Sequence, residues 1–315
     1  MKSKYKIVFF GNSKYSVIVA KTLHTEYGLS SVVTIPDRPL GRKKILTPSP
    51  VKQFAISNNI PALTFDKLDK ETIASLRHPG ERSDSRIRSR FWTSQNDDKQ
   101  PDFLVVADYG LILPKELLAL PKFAPLNVHH SLLPKYRGPS PAPTAILSGD
   151  KISGVTIIKM TDTVDAGPIM AQQEYTLKSV ETTDSLLTML NTLGGKLVVD
   201  VIFRYPQITP ISQNEREATN TERLTKQDGC IDLNNPPSPT QLDRMIRAYY
   251  PWPGVWTAVQ IATTNNQQPT TNKRIIKFLP GQKLQVEGGK PMSVKDFING
   301  YPEMKEKIQQ LVVSS

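Results

Sequence analysis

Cysteine is nearly absent from this chain. Cys230 is the only one in 315 residues, so no disulfide can form within the chain and nothing points to an oxidising compartment. Acidic residues are in deficit, with 29 Asp and Glu against 40 Lys and Arg and a formal charge of +11. That excess does not bear on fold, but it favours an anionic partner, with nucleic acid the leading candidate. Only four histidines are present. No His/Cys/Asp cluster has metal-ligand spacing, so no metal is expected. The dinucleotide fingerprint Gly-x-Gly-x-x-Gly is missing, since Gly11-Asn12-Ser13 carries a single glycine after the first strand-like run. No apolar run approaches the ~20 residues of a membrane helix. Met1 to Tyr5 leads into a strand rather than a signal-type apolar stretch, so a cytoplasmic protein with no membrane partner is expected.

What is present is an alternation of short apolar runs and helical patterns, in a chain long enough for about two domains. Residues 6–10 read as a buried strand, 15–24 as a helix and 31–35 as a second strand rich in β-branched residues. This βαβ opening implies a parallel sheet with right-handed crossovers. Further strands are expected at 60–63, 103–107, 125–129, 153–160 and 169–177, and short helices at 51–57, 70–76, 114–120 and 143–147. Leu186, Leu190, Leu193, Leu197 and Val201 recur at helical spacing and predict a helix over 183–203 that packs on the sheet.

Three stretches interrupt this order. Residues 36–52 hold four prolines and five basic residues against one acid, which predicts a long surface loop and no regular element. Residues 79–100 lack apolar periodicity and read as an inserted surface excursion. Residues 205–223 are polar, contain Pro206 and Pro210, and read as a linker. Beyond it come a short helix at 241–250 and strand-like pieces at 255–261, 274–279 and 283–286. Short strands with frequent turns suggest a small barrel.

The chemistry concentrates in one strand. In Asn127-Val128-His129 the two polar residues stand at i and i+2, so both leave the same face of an extended segment. Pro134 then forces a turn. Polar groups on the last residues of a strand in an α/β protein are placed for chemistry. An amide donor, an imidazole and a carboxylate at Asp165 supply what acyl transfer to an amine needs: a donor to the oxyanion, and groups that move a proton. Asp162 competes with Asp165 for the acidic role. His130 faces away from His129 in a strand and receives none.

The pattern Asn127-x-His129-x-Ser131-Leu132-Leu133-Pro134 with Arg137-Gly138, then Gly154-Val155-Thr156 and Asp165-x-Gly167, resembles the folate-dependent formyltransferases. That resemblance implies transfer of a formyl group from 10-formyltetrahydrofolate to an amine. It implies Asn127 as donor to the formyl oxygen, His129 as a second stabiliser and proton carrier, and Asp165 as the group that raises the His129 pKa and acts as base through water. Ser131, Leu132, Leu133 and Pro134 would line the folate site. Asp37-Arg38-Pro39 with Gly41-Arg42-Lys43-Lys44, followed by Pro48-Ser49-Pro50-Val51-Lys52, resembles the loop that family members acting on methionyl-tRNA use on the acceptor end. It implies Arg38, Arg42, Lys43 and Lys44 as tRNA-binding residues. Many members carry a further Gly after the arginine, so the lysine pair here is shifted by one place. Ile246-Arg247-Ala248, Pro251-Trp252-Pro253 and Gly288 to Ser293 resemble the C-terminal domain of the same members, an OB-type barrel.

The implied organisation is an α/β, Rossmann-like parallel-sheet formyltransferase domain over 1–204, a linker over 205–223 and an OB-like tRNA-binding domain over 224–315. The implied activity is formylation of initiator methionyl-tRNA for translation initiation, by a monomer. The alternative is the same chemistry on a small amine such as an amino-sugar nucleotide. The basic loop and the basic C-terminal region argue against it.

Overall fold

A computed structural model describes residues 5–41, 43–68, 100–265 and 268–311. The expected helix at 70–76, nearly all of the insert at 79–100 and Arg42 lie outside the described residues. The chain forms two compact units. The first holds residues 1–139, 154–175 and 188–220, and the second holds 140–153, 176–187 and 221–315. The sequence expectation had kept 140–153 and 176–187 with the first domain.

The N-terminal elements are β1 (Ile7–Phe10), α1 (Ser16–Glu26), β2 (Leu29–Thr34), β3 (Arg38–Leu40), β4 (Ile45–Thr47), α2 (Pro50–Ser57) and β5 (Ala62–Thr64). There follow β6 (Phe103–Val106), α3 (Lys115–Leu118), β7 (Ala124–His129), α4 (Pro141–Ser148), β8 (Ile152–Lys159), β9 (Ile169–Thr176) and α5 (Thr183–Arg204). Seven strands form one sheet in the order β5-β2-β1-β6-β7-β8-β9. From β5 to β7 all neighbours run parallel, and β8 runs antiparallel to β7. The fold class read from the sequence is therefore the one observed.

Both faces of this sheet are covered, which is why β1 and β6 read as unbroken apolar runs. Ile7 and Phe9 share a core with Val19 and Leu23 of α1 and with Val198, Val201 and Ile202 of α5. Val8 and Phe10 face a second core with Tyr109, Leu113 and Leu117. The chain leaves β1 outward to β2 and β5, then returns to β6 and β7 on the other side. The strand order thus reverses between β1 and β6, and the crevice beyond their C-terminal ends is where open α/β sheets hold ligands.

Three expectations are corrected. Residues 38–47 are a two-stranded hairpin, with Arg38 opposite Thr47 and Leu40 opposite Ile45. Gly41 at φ 71° and Lys44 at φ 46° supply the left-handed turn, and the Lys44 amide donates to the Gly41 carbonyl. Prolines and charges argue against a buried strand, not against an exposed edge pair. Residues 205–220 are no free linker, because their partners lie in the first unit. Ile211 exchanges backbone hydrogen bonds with Ile169, and Arg137 and Thr219 are joined through their main chains. Finally, α5 is long and apolar enough to cross a membrane by length and composition, where no such run was expected. Its apolar positions Val198, Val201 and Ile202 are instead fully buried in the sheet core.

The second unit contains α6 (Pro239–Ala248), β10 (Val255–Asn265), β11 (Gln268–Leu279), β12 (Lys283–Val286), β13 (Met292–Ser293), α7 (Val294–Gly300) and α8 (Lys305–Gln309). The four strands form one antiparallel sheet in sequence order, so the C-terminal region is strand-rich as expected. Ser238 and Gln241 form a reciprocal cap ahead of α6, with Pro239 in its first turn. Helices α7 and α8 were not expected from the sequence. Ser293 starts α7 by accepting a hydrogen bond from the Asp296 amide.

Candidate active site

Strand β7 ends in the expected alternation. Leu126 and Val128 are buried in the sheet core, while Asn127 and His129 face away from it. Both meet one carboxylate. Asn127 Nδ2 donates to Asp165 Oδ1 at 3.1 Å, and His129 Nδ1 lies 3.5 Å from Asp165 Oδ2. The structure thus brings the three expected residues together.

Asp165 is delivered by the loop between β8 and β9, and its own backbone is left-handed at φ 52°. The Gly138 amide donates to Asp165 Oδ2 at 2.8 Å, so both carboxylate oxygens are engaged. Gln213 Nε2 holds the loop from behind, donating to the carbonyls of Asp165 and Gly167 at 2.8 and 2.7 Å. Gly167 is required because a Cβ there would fall 1.9 Å from the Lys159 carbonyl oxygen. Asp162 is excluded as the acid, because it points away into an exposed ion pair with Lys115 at 2.6 Å.

His129 is buried, and its Nε2 lies 2.8 Å from the Tyr136 carbonyl oxygen. A carbonyl only accepts, so Nε2 carries the hydrogen and Nδ1 presents its lone pair on the Asp165 side. Burial pushes the His129 pKa below the ordinary imidazole value, and the nearby charge of Asp165 opposes that shift without reversing it. The expectation that Asp165 raises this pKa holds for its own contribution only. The net shift is downward, toward the neutral imidazole.

The Ser131–Pro134 segment turns directly below the site. Ser131 Oγ donates to the Lys135 carbonyl at 2.6 Å, and Leu133 packs in a small apolar cluster with Ile158 and Ile169. Both side chains are buried, so Leu132 and Pro134 are the two that keep partial exposure. Thr156 and Gln172 fix the segment: Thr156 Oγ1 donates to the Ser131 carbonyl and accepts from the Leu133 amide, and Gln172 Nε2 donates to the Leu133 carbonyl. Arg137 grips Gln213 and makes a two-pronged bond to Glu215, all at 2.8–3.0 Å. Gln213, Tyr136 and Gln172 were not singled out in the sequence. Only the Arg-Gly dipeptide hinted at this support.

Arg38, Lys43 and Lys44 are exposed on the 38–47 hairpin. Among the described residues no group of three or more His, Cys, Asp or Glu is placed to hold a metal.

Comparison with known proteins assigns the class of the chain. The profile described as formyl transferase matches residues 5–202, and that of the formyl transferase C-terminal domain matches residues 223–280. The chain belongs to the formyl transferase family. A methionyl-tRNA formyltransferase of Caldicellulosiruptor saccharolyticus is 32% identical over 96% of this chain and 99% of its own length. One from Roseiflexus castenholzii is 39% identical over 80% of this chain and 75% of its own. The solved methionyl-tRNA formyltransferase of Clostridium thermocellum superposes with a TM-score of 0.52 at 16% identity, covering 87% of this chain and 99% of that one, a likeness of fold.

Proposed function

We propose that this protein transfers the formyl group of 10-formyltetrahydrofolate to the α-amine of initiator methionyl-tRNA in the cytoplasm. The observation that carries the chemistry is the convergence of Asn127 and His129 on the single Asp165 carboxylate. Asn127 uses one Nδ2 hydrogen on Asp165, which aims the second at the formyl oxygen. The amine attacks the formyl carbon, and that oxygen becomes anionic in the tetrahedral intermediate, where the Asn127 donor binds it most strongly. Neutral His129 takes the proton that the amine loses, at Nδ1. The resulting imidazolium is stabilised by Asp165 Oδ2 and by the Tyr136 carbonyl. The bond from the formyl carbon to the folate nitrogen then breaks, and His129 returns the proton to that nitrogen. The two-domain match and the exposed Arg38, Lys43 and Lys44 support a tRNA acceptor over a small amine.

The test is formylation of charged initiator tRNA by purified protein, with charged elongator methionyl-tRNA and an amino-sugar nucleotide as competing acceptors. Transfer to the initiator with Asn127→Ala inactive is the expected result. Efficient transfer to the sugar nucleotide alone would reject the acceptor while keeping the chemistry.

A further inference from the structure

The basic hairpin at 38–47 has little packing of its own. Its strands are three residues each, and Leu40, Ile45 and Leu46 are exposed. A two-stranded hairpin of this kind is marginal by itself. Its direction must come from its root, where the chain leaves β2 and enters α2.

Polar side chains form a directed chain across that root. Ser49 Oγ accepts from the Lys52 amide at 3.1 Å, as the cap of α2. The Ser49 and Thr34 hydroxyls lie 2.6 Å apart, and Thr34 Oγ1 donates to Asn12 Oδ1 at 2.8 Å. A hydroxyl has one hydrogen to give, so Ser49 is the donor to Thr34. Asn12 Oδ1 also accepts from the Ile35 amide at 2.8 Å, and Asn12 Nδ2 donates to the Tyr109 carbonyl. An amide N–H only donates and a carbonyl only accepts, so both ends of the Asn12 side chain are assigned. Thr34 and Ser49 are buried.

The far end of this chain is a fixed point. Tyr109 is buried, with its ring edge-on to Phe10 at a centroid distance of 5.3 Å. Asp108, just before it, accepts from Ser13 Oγ at 2.9 Å and lies 3.4 Å from Nδ1 of buried His130. Strands β2, β1 and β6 are neighbours in the sheet. Asn12, just past β1, thus ties the hairpin root at the end of β2 to the loop past β6. The Asp37–Lys52 ion pair at 2.7 Å ties the same root to α2 alone.

We propose that Asn12 is a positioning residue that aims the 38–47 hairpin, with Arg38, Lys43 and Lys44, at the phosphates of the acceptor stem. This rests on the reading of the hairpin as a tRNA-binding arm. Asn12 lies outside the Asn127–His129–Asp165 cluster, so its loss weakens tRNA capture and leaves the chemistry alone.

The experiment measures kcat, KM for charged initiator tRNA and KM for 10-formyltetrahydrofolate in wild type, Asn12→Ala and Thr34→Val, each also in a Lys43→Ala/Lys44→Ala background. Thr34→Val keeps the buried shape and removes only the middle of the chain, so it serves if Asn12→Ala does not fold. In either variant the tRNA KM should rise roughly three- to tenfold, with kcat and the folate KM unchanged. In the lysine-free background the rise should shrink to less than about twofold, since the arm has lost most of the charge to be aimed. An equal rise in both backgrounds, or a fall in kcat with a raised folate KM, would overturn the inference. Hydrogen exchange, read without RNA, is the second measure: the backbone amides of 38–47 should exchange faster in both variants. Unchanged exchange there in folded variants would also overturn it. That failure stands apart from failure of the tRNA reading, which the wild-type assay on charged initiator tRNA decides.

Discussion

At the scale of residues, the site divides into groups that would touch the reacting atoms and groups that hold them. Asn127 has one hydrogen committed to Asp165, so its truncation removes an already aimed donor. Asn127→Ala should lower kcat by about 10²–10³ while KM moves little, because an oxyanion exists only beyond the ground state. A loss of less than tenfold in a formyl-transfer assay would place the donor elsewhere. His129 carries a second consequence. Its folded pKa is depressed, chiefly by burial, while the unfolded value is near the ordinary ~6.5. Between those values the unfolded chain binds the extra proton, so folding stability rises with pH through that window and falls as pH drops below ~6.5. Urea unfolding of wild type and His129→Gln across pH 5 to 7.5 measures this, and the variant should lose that part of the slope. Gly167→Ala would set a methyl against the Lys159 carbonyl. The Asp165 loop must then shift, and activity should drop on the order of 10², the cost of a misplacement of about 1 Å.

At the scale of elements, the support of the catalytic loop comes from a stretch that reads locally as a linker. Gln213 ties the Asp165 and Gly167 carbonyls, Arg137 holds Gln213 in turn, and Glu215 holds Arg137. Gln213→Ala leaves two carbonyls without this donor, which should cost about 1–2 kcal/mol of stability. It should also reduce kcat more than KM, because the loop keeps its sequence and loses its aim. Equal kcat in the variant would mean that the Gly138 amide and Asn127 suffice to position Asp165.

The same segment marks the border of what the sequence discloses. Strands β1, β6 and β7 were legible because a sheet covered on both faces demands continuous apolar runs, and Asn127 and His129 because alternation is a local rule. The partners of residues 205–220 are some 40 to 80 positions away in the chain. No local periodicity encodes such a contact. The 38–47 hairpin was missed for a different reason, since its strands are three residues each and exposed, too short for alternation to register. His130 looked uninformative because strand geometry turns it from His129, and its pairing with Asp108 depends on which strand lies beside β7.

At the scale of the whole molecule, charge is the property that separates a nucleic-acid acceptor from a small one. The chain carries +11, and the 38–47 hairpin presents Arg38, Lys43 and Lys44 to solvent. Phosphate contacts release counterions, so apparent affinity for tRNA should fall steeply with salt, with a logarithmic slope of about 0.9 per contact for duplex and about 0.7 for single strands. If Lys43 and Lys44 each meet a phosphate of the paired acceptor stem, Lys43→Ala/Lys44→Ala should reduce that slope by about 1.8 and raise KM for charged tRNA. Between 50 and 200 mM salt the wild-type KM would then climb on the order of tenfold more than that of the variant. Turnover at saturating tRNA should be retained, because neither lysine belongs to the Asn127–His129–Asp165 cluster. Parallel salt dependences in the two proteins would assign the electrostatic work to the second unit. Its Lys273, Arg274 and Lys277 on β11 are then the residues to neutralise next.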